Sequence, residues 1–113
     1  MPQRNVNYEA APAAVADTVA HLGRSIGTAR VRRRLREDDL AAKAGITRTT
    51  LRRVEAGALG TGIGAYIAVL WALGLHHDIA QVAGPERDIE GQTLEAARRG
   101  ERVRPGGGLN DEF

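Results

Sequence analysis

The most constraining feature of this 113-residue chain is the segment LREDDLAAKAGITRTTLRRVEAG at residues 35–57. Its apolar residues recur at helical spacing, which predicts two short helices over about 37–44 and 47–56. Gly45 falls between them, where a tight turn needs a left-handed backbone. Thr47 is placed to cap the second helix by accepting a hydrogen bond from a free backbone N–H. The apolar residues expected to pack the two helices together are Leu40, Ala41, Ala44, Ile46, Leu51 and Val54.

The rest of the chain also shows helical spacing, and strand-favouring runs are absent. We predict an all-α fold whose further helices cover 13–34, a stretch that ends at Gly74, 76–83 and 88–99, with a glycine-rich loop at 57–64. The two glycines at 23 and 27 lie inside the first helix, where they indicate a break or a close helix approach. The predicted organisation is a flexible N-terminus over 1–12, a domain over 13–84, and a C-terminal helix with a flexible tail over 85–113.

Composition excludes several function classes. The chain has no cysteine, which removes disulfides, thiolate chemistry and Cys-ligated zinc. No stretch reaches the roughly 20 apolar residues of a membrane span, and no signal-peptide pattern begins the chain, so we expect a soluble, cytoplasmic protein without a membrane partner. The glycine-rich loop lacks the nucleotide-binding patterns. Neither a nucleophile–base set nor a metal-ligating group of histidines is apparent, and we predict no enzyme activity, no cofactor and no metal.

The charge of the chain is concentrated in one block. The formal net charge is only +2. Residues 20–60, however, hold ten basic and four acidic residues, a net charge of +6, whereas the rest of the chain carries −4. Such a block indicates a surface that faces a polyanion. An alternative is that the fifteen arginines, against one lysine, reflect codon usage in a GC-rich genome.

The basic block coincides with the two short helices, an arrangement typical of a helix-turn-helix, whose second helix enters the DNA major groove. Arg48 and Arg53 are the candidate base readers, because arginine can donate two hydrogen bonds to guanine. Thr49 is a third candidate, and Arg52 is expected to reach a phosphate. The predicted DNA-binding residues are Thr47, Arg48, Thr49, Arg52, Arg53 and Arg36. The alternative is that they form a solvated helix face.

Two further sets of residues have predicted structural roles. Arg30 and Glu55 are opposite charges near the ends of helices that must pack together, which favours a partly buried ion pair over a DNA contact. Trp71, on the apolar fourth helix, belongs either to the core, the favoured interpretation, or to a dimer contact. Ile79 and Val82 are the other candidate dimer residues.

Residues 22–83 resemble the lambda-repressor-like DNA-binding domains of the Cro/C1 type, the xenobiotic-response-element family of helix-turn-helix regulators. The resemblance rests on the spacing of Leu22, Ile26, Arg30 and Leu35, on LAAKAGITRTTLRRVEAG at 40–57, and on the apolar helix that follows. It implies a five-helix bundle, a homodimer on a palindromic DNA operator, and a salt bridge between Arg30 and Glu55. Two positions depart from the family: Glu37 replaces the usual glutamine that contacts a phosphate, and Arg34 stands where glycine often ends the first helix.

A narrower resemblance covers residues 65–104, which look like the tail of HipB-type antitoxins. Its informative pieces are LWALGL at 70–75, the Pro-Glu-Arg-Asp turn, Gly91 and the basic stretch that follows. This resemblance implies a DNA-binding antitoxin that neutralises a HipA-like kinase and represses its own operon. The alternatives are a stand-alone Cro/C1-type regulator and a protein-interaction module of the same fold that does not bind DNA.

Overall fold

The computed structural model describes residues 7–103, and every regular element within them is helical. The prediction of an all-α chain is therefore confirmed for this part. A 3-10 turn at Tyr8–Ala10 precedes six helices: α1 (Ala13–Arg32), α2 (Glu37–Ala44), α3 (Arg48–Glu55), α4 (Ile63–Leu73), α5 (His76–Ile79) and α6 (Ile89–Val103). The predictions of flexibility for residues 1–6 and 104–113 lie outside the described residues.

The chain divides after Ile79 into two compact units. The first unit contains α1 to α5, and the second contains α6. The sequence prediction instead placed the end of its first domain at residue 84.

The core of the first unit is built from small and aliphatic side chains. Helix α3 packs against both α1 and α2, and these three helices pack against α4, which also contacts α5. The side chains of Ile26, Leu40, Leu51, Val54 and Val69 are fully buried. The whole core consists of Ile26, Ala29, Leu40, Ala41, Leu51, Val54, Tyr66, Val69, Leu70, Ala72 and Leu73.

The helix ends explain how such short helices can follow one another closely. At the end of α1, the N–H of Leu35 donates to the carbonyl of Arg30, and the N–H of Arg34 donates to that of Val31. This paired bonding satisfies carbonyls that the helix leaves free, and it requires a left-handed residue. Arg34 adopts that backbone with φ 56°, so the arginine takes the conformation for which glycine is the usual choice.

Helices α1 and α3 approach each other through their backbones. A Cβ atom on Gly23 would lie 2.6 Å from the carbonyl oxygen of Val54 and 2.7 Å from that of Glu55. A Cβ atom on Gly57 would lie 2.5 Å from the Cα of Ala20. No side chain fits in these places, so the backbone of α1 directly contacts the backbone at the end of α3. The first helix is unbroken here, so the glycines serve a close approach.

The predicted fifth helix over 76–83 is wrong in its length. Helix α5 ends at Ile79, and residues 80–83 form turns instead. Ile79 packs against the core, whereas Val82 is exposed. Because no apolar residue between residues 80 and 101 is buried, packing does not stabilise further helical turns of α5. Ala83 also has a left-handed φ of 60°, which a continuing helix could not contain.

The last helix, in the second unit, extends further than predicted. It runs to Val103 rather than to Arg99, so residues 100–103 are helical and not part of a tail. The carboxylate of Asp88 accepts a hydrogen bond from the N–H of Gly91 at 3.0 Å and caps the first turn. The apolar side chains of Ile89 and Leu94 are exposed.

Replacement of Gly23 by alanine tests the close approach of α1 and α3. The new methyl group would meet backbone atoms that cannot rotate away, so we expect a loss of about 1–3 kcal/mol or more in the free energy of unfolding. Gly64→Ala is the matched control, because Gly64 is also helical but has open space around it. That variant should be as stable as the unmodified protein or gain up to about 1 kcal/mol. Urea unfolding followed by circular dichroism measures both, and equal stabilities would contradict the close approach.

The buried phenol of Tyr66 predicts a pH dependence of stability. Its hydroxyl donates to the carbonyl of Ala58 at 2.9 Å, and burial raises its pKa above the usual value of about 10. Above that pH the unfolded chain loses the phenol proton while the folded chain keeps it, so the free energy of unfolding should fall as the pH rises. Tyr66→Phe should lower stability by about 0.5–1.5 kcal/mol at neutral pH and flatten the alkaline decline. Thermal melts between pH 8 and 11 would show both effects, and identical slopes for the two proteins would refute the assignment.

Candidate nucleic-acid interface

Helix α3 has one wholly buried side and one exposed side. Leu51 and Val54 have no accessible surface and fix which side of the helix faces the core. The opposite side is exposed and holds four of the predicted DNA-binding residues. This exposed α3 face consists of Arg48, Thr49, Arg52 and Arg53.

The turn before α3 determines where this face begins. Gly45 ends α2 with φ 77°, and the N–H of Ile46 returns to the carbonyl of Ala41 at 3.0 Å. The hydroxyl of Thr47 then accepts a hydrogen bond from the N–H of Thr50 at 3.1 Å. This is the capping role that the sequence predicts for Thr47. Since Thr47 caps α3, Arg48 is the first residue of the helix.

The exposed α3 face has two edges. Arg48 and Arg52 are four residues apart and therefore neighbours along one edge, and Thr49 and Arg53 are neighbours along the other. The first edge contacts acidic residues of α2. Arg53 and Thr49 make no side-chain hydrogen bond within the described part of the chain. The two edges therefore differ in whether their side chains are bonded to α2.

Two carboxylates from the first turn of α2 hold the arginines of the first edge. The Nη1 of Arg48 lies 3.2 Å from Oδ1 of Asp38, and the Nε of Arg52 lies 3.1 Å from Oε1 of Glu37. The sequence interpretation missed both pairs and considered Glu37 only as a departure from the family's phosphate-contacting glutamine and as one of the acids at the start of a helix. The available signal was three acids at the start of a helix that must pack beside a basic helix.

Arg30 and Glu55 form the pair that the sequence predicts, and they join three parts of the first unit. Nε and Nη2 of Arg30 donate to the two carboxylate oxygens of Glu55 at 2.7 and 3.1 Å. Nη1 of Arg30 donates to the carbonyl of Leu35 at 3.1 Å. Only 15% of the arginine side chain and 16% of the glutamate side chain are exposed. This pair ties the end of α3 to α1 and to the connection that leads into α2.

The hydrogen bonds to Glu55 raise the pKa of Arg30, and burial opposes them in part. The negative charges of Glu55 and Glu37 raise it further. The guanidinium of Arg30 therefore stays charged over the whole pH range in which proteins fold.

Arg36, the remaining predicted DNA-binding residue, occupies the position just before α2. Its backbone is extended, its side chain makes no capping hydrogen bond, and it is exposed. It therefore borders the same α2–α3 pair without being held by any described side chain.

The three candidate dimer residues lie in different environments. Trp71 is 56% exposed, so the favoured interpretation of this residue as part of the core is wrong. The neighbouring Leu70 is buried in the core instead, and the indole of Trp71 extends from an exposed side of α4. Ile79 is half-buried against the core of the first unit. Val82 is exposed and belongs to the second unit.

Within residues 7–103, no three side chains of histidine, aspartate or glutamate come together in a way that could hold a metal ion. None of the helices there is both long and apolar enough to cross a membrane.

No family model matches the chain, and neither a curated protein nor a solved structure does.

Removal of Glu55 tests the ion pair that holds α3. Glu55→Ala leaves the half-buried guanidinium of Arg30 without its two acceptors, so we expect a loss of about 1–3 kcal/mol in the free energy of unfolding. The double variant Arg30→Met with Glu55→Leu removes both charges and should recover part of that loss. Denaturant unfolding of the two variants measures the difference. A single variant as stable as the unmodified protein would show that the pair does not support the fold.

Proposed function

We propose that this chain is a sequence-specific DNA-binding repressor of the lambda-repressor-like, Cro/C1 type, with α2 and α3 as its helix-turn-helix. The observation that carries the proposal is the exposed α3 face. Three arginines and a threonine stand on an exposed surface whose opposite side, Leu51 and Val54, is locked into the core. A helix fixed in this way can enter a major groove without losing its packing.

The chemistry of the exposed α3 face suits sequence recognition as well as charge attraction. Arginine matches the O6 and N7 acceptors of guanine with two hydrogen bonds, and the threonine methyl group can contact that of thymine. Arg48 lies at the N-terminal end of α3, the part of a recognition helix that meets base edges. Arg36 and Arg52 border this region and are suited to phosphates, which position a protein but carry no sequence information.

We further propose that the repressor acts as a homodimer on a palindromic operator. Two-fold symmetry of a protein matches two half-sites about one helical turn of DNA apart. The exposed indole of Trp71 supports this proposal, because aromatic side chains are enriched at protein interfaces.

The biological setting that we propose is that of an antitoxin that represses its own operon and binds a HipA-like kinase. Its support is the sequence resemblance of residues 65–104. The part of this stretch after Ile79 belongs to a separate unit, which could bind a second partner without disturbing the core of the first.

One observation favours a rival function, a protein-interaction module that does not bind DNA. Arg48 and Arg52 are both paired with carboxylates of α2, so much of the positive charge on the first edge is neutralised. A stand-alone repressor with the same DNA contacts is the other alternative, and a kinase gene beside this one would separate it from the antitoxin.

Arg48→Ala tests DNA readout directly. Loss of a bidentate guanine contact should reduce discrimination at one base position of each half-site by about 1–3 kcal/mol. The measurement is fluorescence anisotropy on a labelled duplex from immediately upstream of the gene, with a scrambled duplex as the competitor. Arg98→Ala, which removes the same charge from α6, should leave the discrimination unchanged.

The same titration over a salt series separates a repressor from an interaction module. Each neutralised phosphate should add about 0.9 to the negative slope of log K against log salt concentration. Equal, weak binding of both duplexes by the unmodified protein would reject sequence-specific repression by this chain alone.

A further inference from the structure

The Arg48–Asp38 pair uses only one nitrogen of the guanidinium. Nη1 of Arg48 donates to Oδ1 of Asp38 at 3.2 Å. Its Nε and Nη2 atoms make no hydrogen bond within the described residues. The pair is open to solvent, because 52% of the arginine side chain and 57% of the aspartate side chain are exposed. A ligand could therefore reach the free side of the guanidinium while Asp38 still holds the other.

The free side of Arg48 is one of the guanidinium edges that can donate to two acceptors at once. Arg30 demonstrates this within the same molecule, because its Nε and Nη2 atoms donate to the two oxygens of Glu55. Guanine presents O6 and N7 in the major groove as a comparable pair of acceptors. The same nitrogens of Arg48 are unoccupied, at the N-terminal end of α3. Asp38 thus leaves free an edge of Arg48 that can donate to both acceptors of a guanine.

We propose that Asp38 is a specificity-determining positioning residue, which holds Arg48 by Nη1 and presents its Nε and Nη2 edge to a guanine. This inference rests on the proposed function of α3 in DNA binding. Asp38 itself does not contact the base. Its effect arises because ordering a long, exposed side chain costs conformational entropy, and a side chain that is already held loses less when it binds.

The opposite interpretation makes a different prediction. If Asp38 merely competed with DNA for Arg48, its removal would strengthen binding to every duplex and leave base preference unchanged. If Asp38 positions Arg48, removal of its charge should strengthen binding to random DNA, but it should also weaken the guanine preference. The two effects have opposite signs, which separates positioning from competition.

Asp39 provides a matched control. It lies beside Asp38 in the first turn of α2 and carries the same charge. It is exposed and makes no side-chain hydrogen bond or ion pair in the described part of the chain. Asp39→Ala therefore removes an equal charge from the same helix end without releasing an arginine.

The experiment is selection of bound sequences from a pool of randomised duplexes, performed with the full chain and five variants. Arg48→Ala first identifies the base position that Arg48 reads. We expect Asp38→Ala to reduce guanine preference at that same position by about threefold to tenfold. Asp38→Asn keeps an acceptor oxygen and should recover part of the preference. Asp39→Ala and Asp39→Asn should leave the preference at its original value, and circular dichroism melts should show that all variants are folded.

The selected sequences distinguish a positioning role of Asp38 from simple competition with DNA for Arg48. Loss of guanine preference in Asp38→Ala but not in Asp39→Ala supports the positioning role. Equal base preferences in these two variants, whatever their affinities, would overturn it and leave the proposed function in place. If the unmodified protein selects no sequence from the pool, the proposed function fails and this inference fails with it.

Discussion

The ion pair between Arg30 and Glu55 joins the parts of the first unit that must keep a fixed relation for α3 to present a surface. One guanidinium bonds to the end of α3, through Glu55, and to the backbone at Leu35, just before α2 begins. The helices that carry the candidate interface are thereby anchored to the longest helix of the unit. An unpaired half-buried charge is much costlier than an exposed one, so the pair also penalises arrangements in which these elements separate.

The carboxylates beside the candidate interface have two roles. The acidic side chains in the first turn of α2 interact favourably with the positive end of the helix dipole and stabilise that helix. Glu37 and Asp38 also hold arginines that α3 exposes. One set of carboxylates therefore contributes to helix stability and to the position of the cations beside it. Exposed ion pairs of this kind add little to stability, about 0–1 kcal/mol each. Their main effect is on where the arginines are found.

Much of this arrangement follows from the sequence, for physical reasons. Gly45, Thr47 and the apolar spacing of α2 and α3 are local signals, since turns, caps and helical periodicity involve neighbouring residues. Arg30 and Glu55 were recognisable because Glu55 is the only acidic residue of α3 and lies at the end of a helix that must pack against α1. These features predicted which side of α3 is exposed, although not what it binds.

Other features depend on contacts between distant residues and could not be read locally. Trp71 has the spacing of a core residue, but the adjacent Leu70 fills the buried position. The length of α5 was overestimated because helical spacing continues beyond Ile79, where no partner covers Val82. The pairs that Asp38 and Glu37 make with α3 join residues ten and fifteen positions apart, and their geometry depends on how α2 and α3 cross.

The contact of α1 with α3 through Gly23 and Gly57 separates what the chain needs in order to fold from what it needs in order to recognise a ligand. The buried side of α3 packs through backbone contact and through Leu51 and Val54. The four side chains of the exposed α3 face therefore do not contribute to the core. Substitutions at these four outward positions should therefore leave the packing of α3 intact. Gly23 and Gly57, in contrast, cannot be replaced without displacing the backbone atoms that they contact.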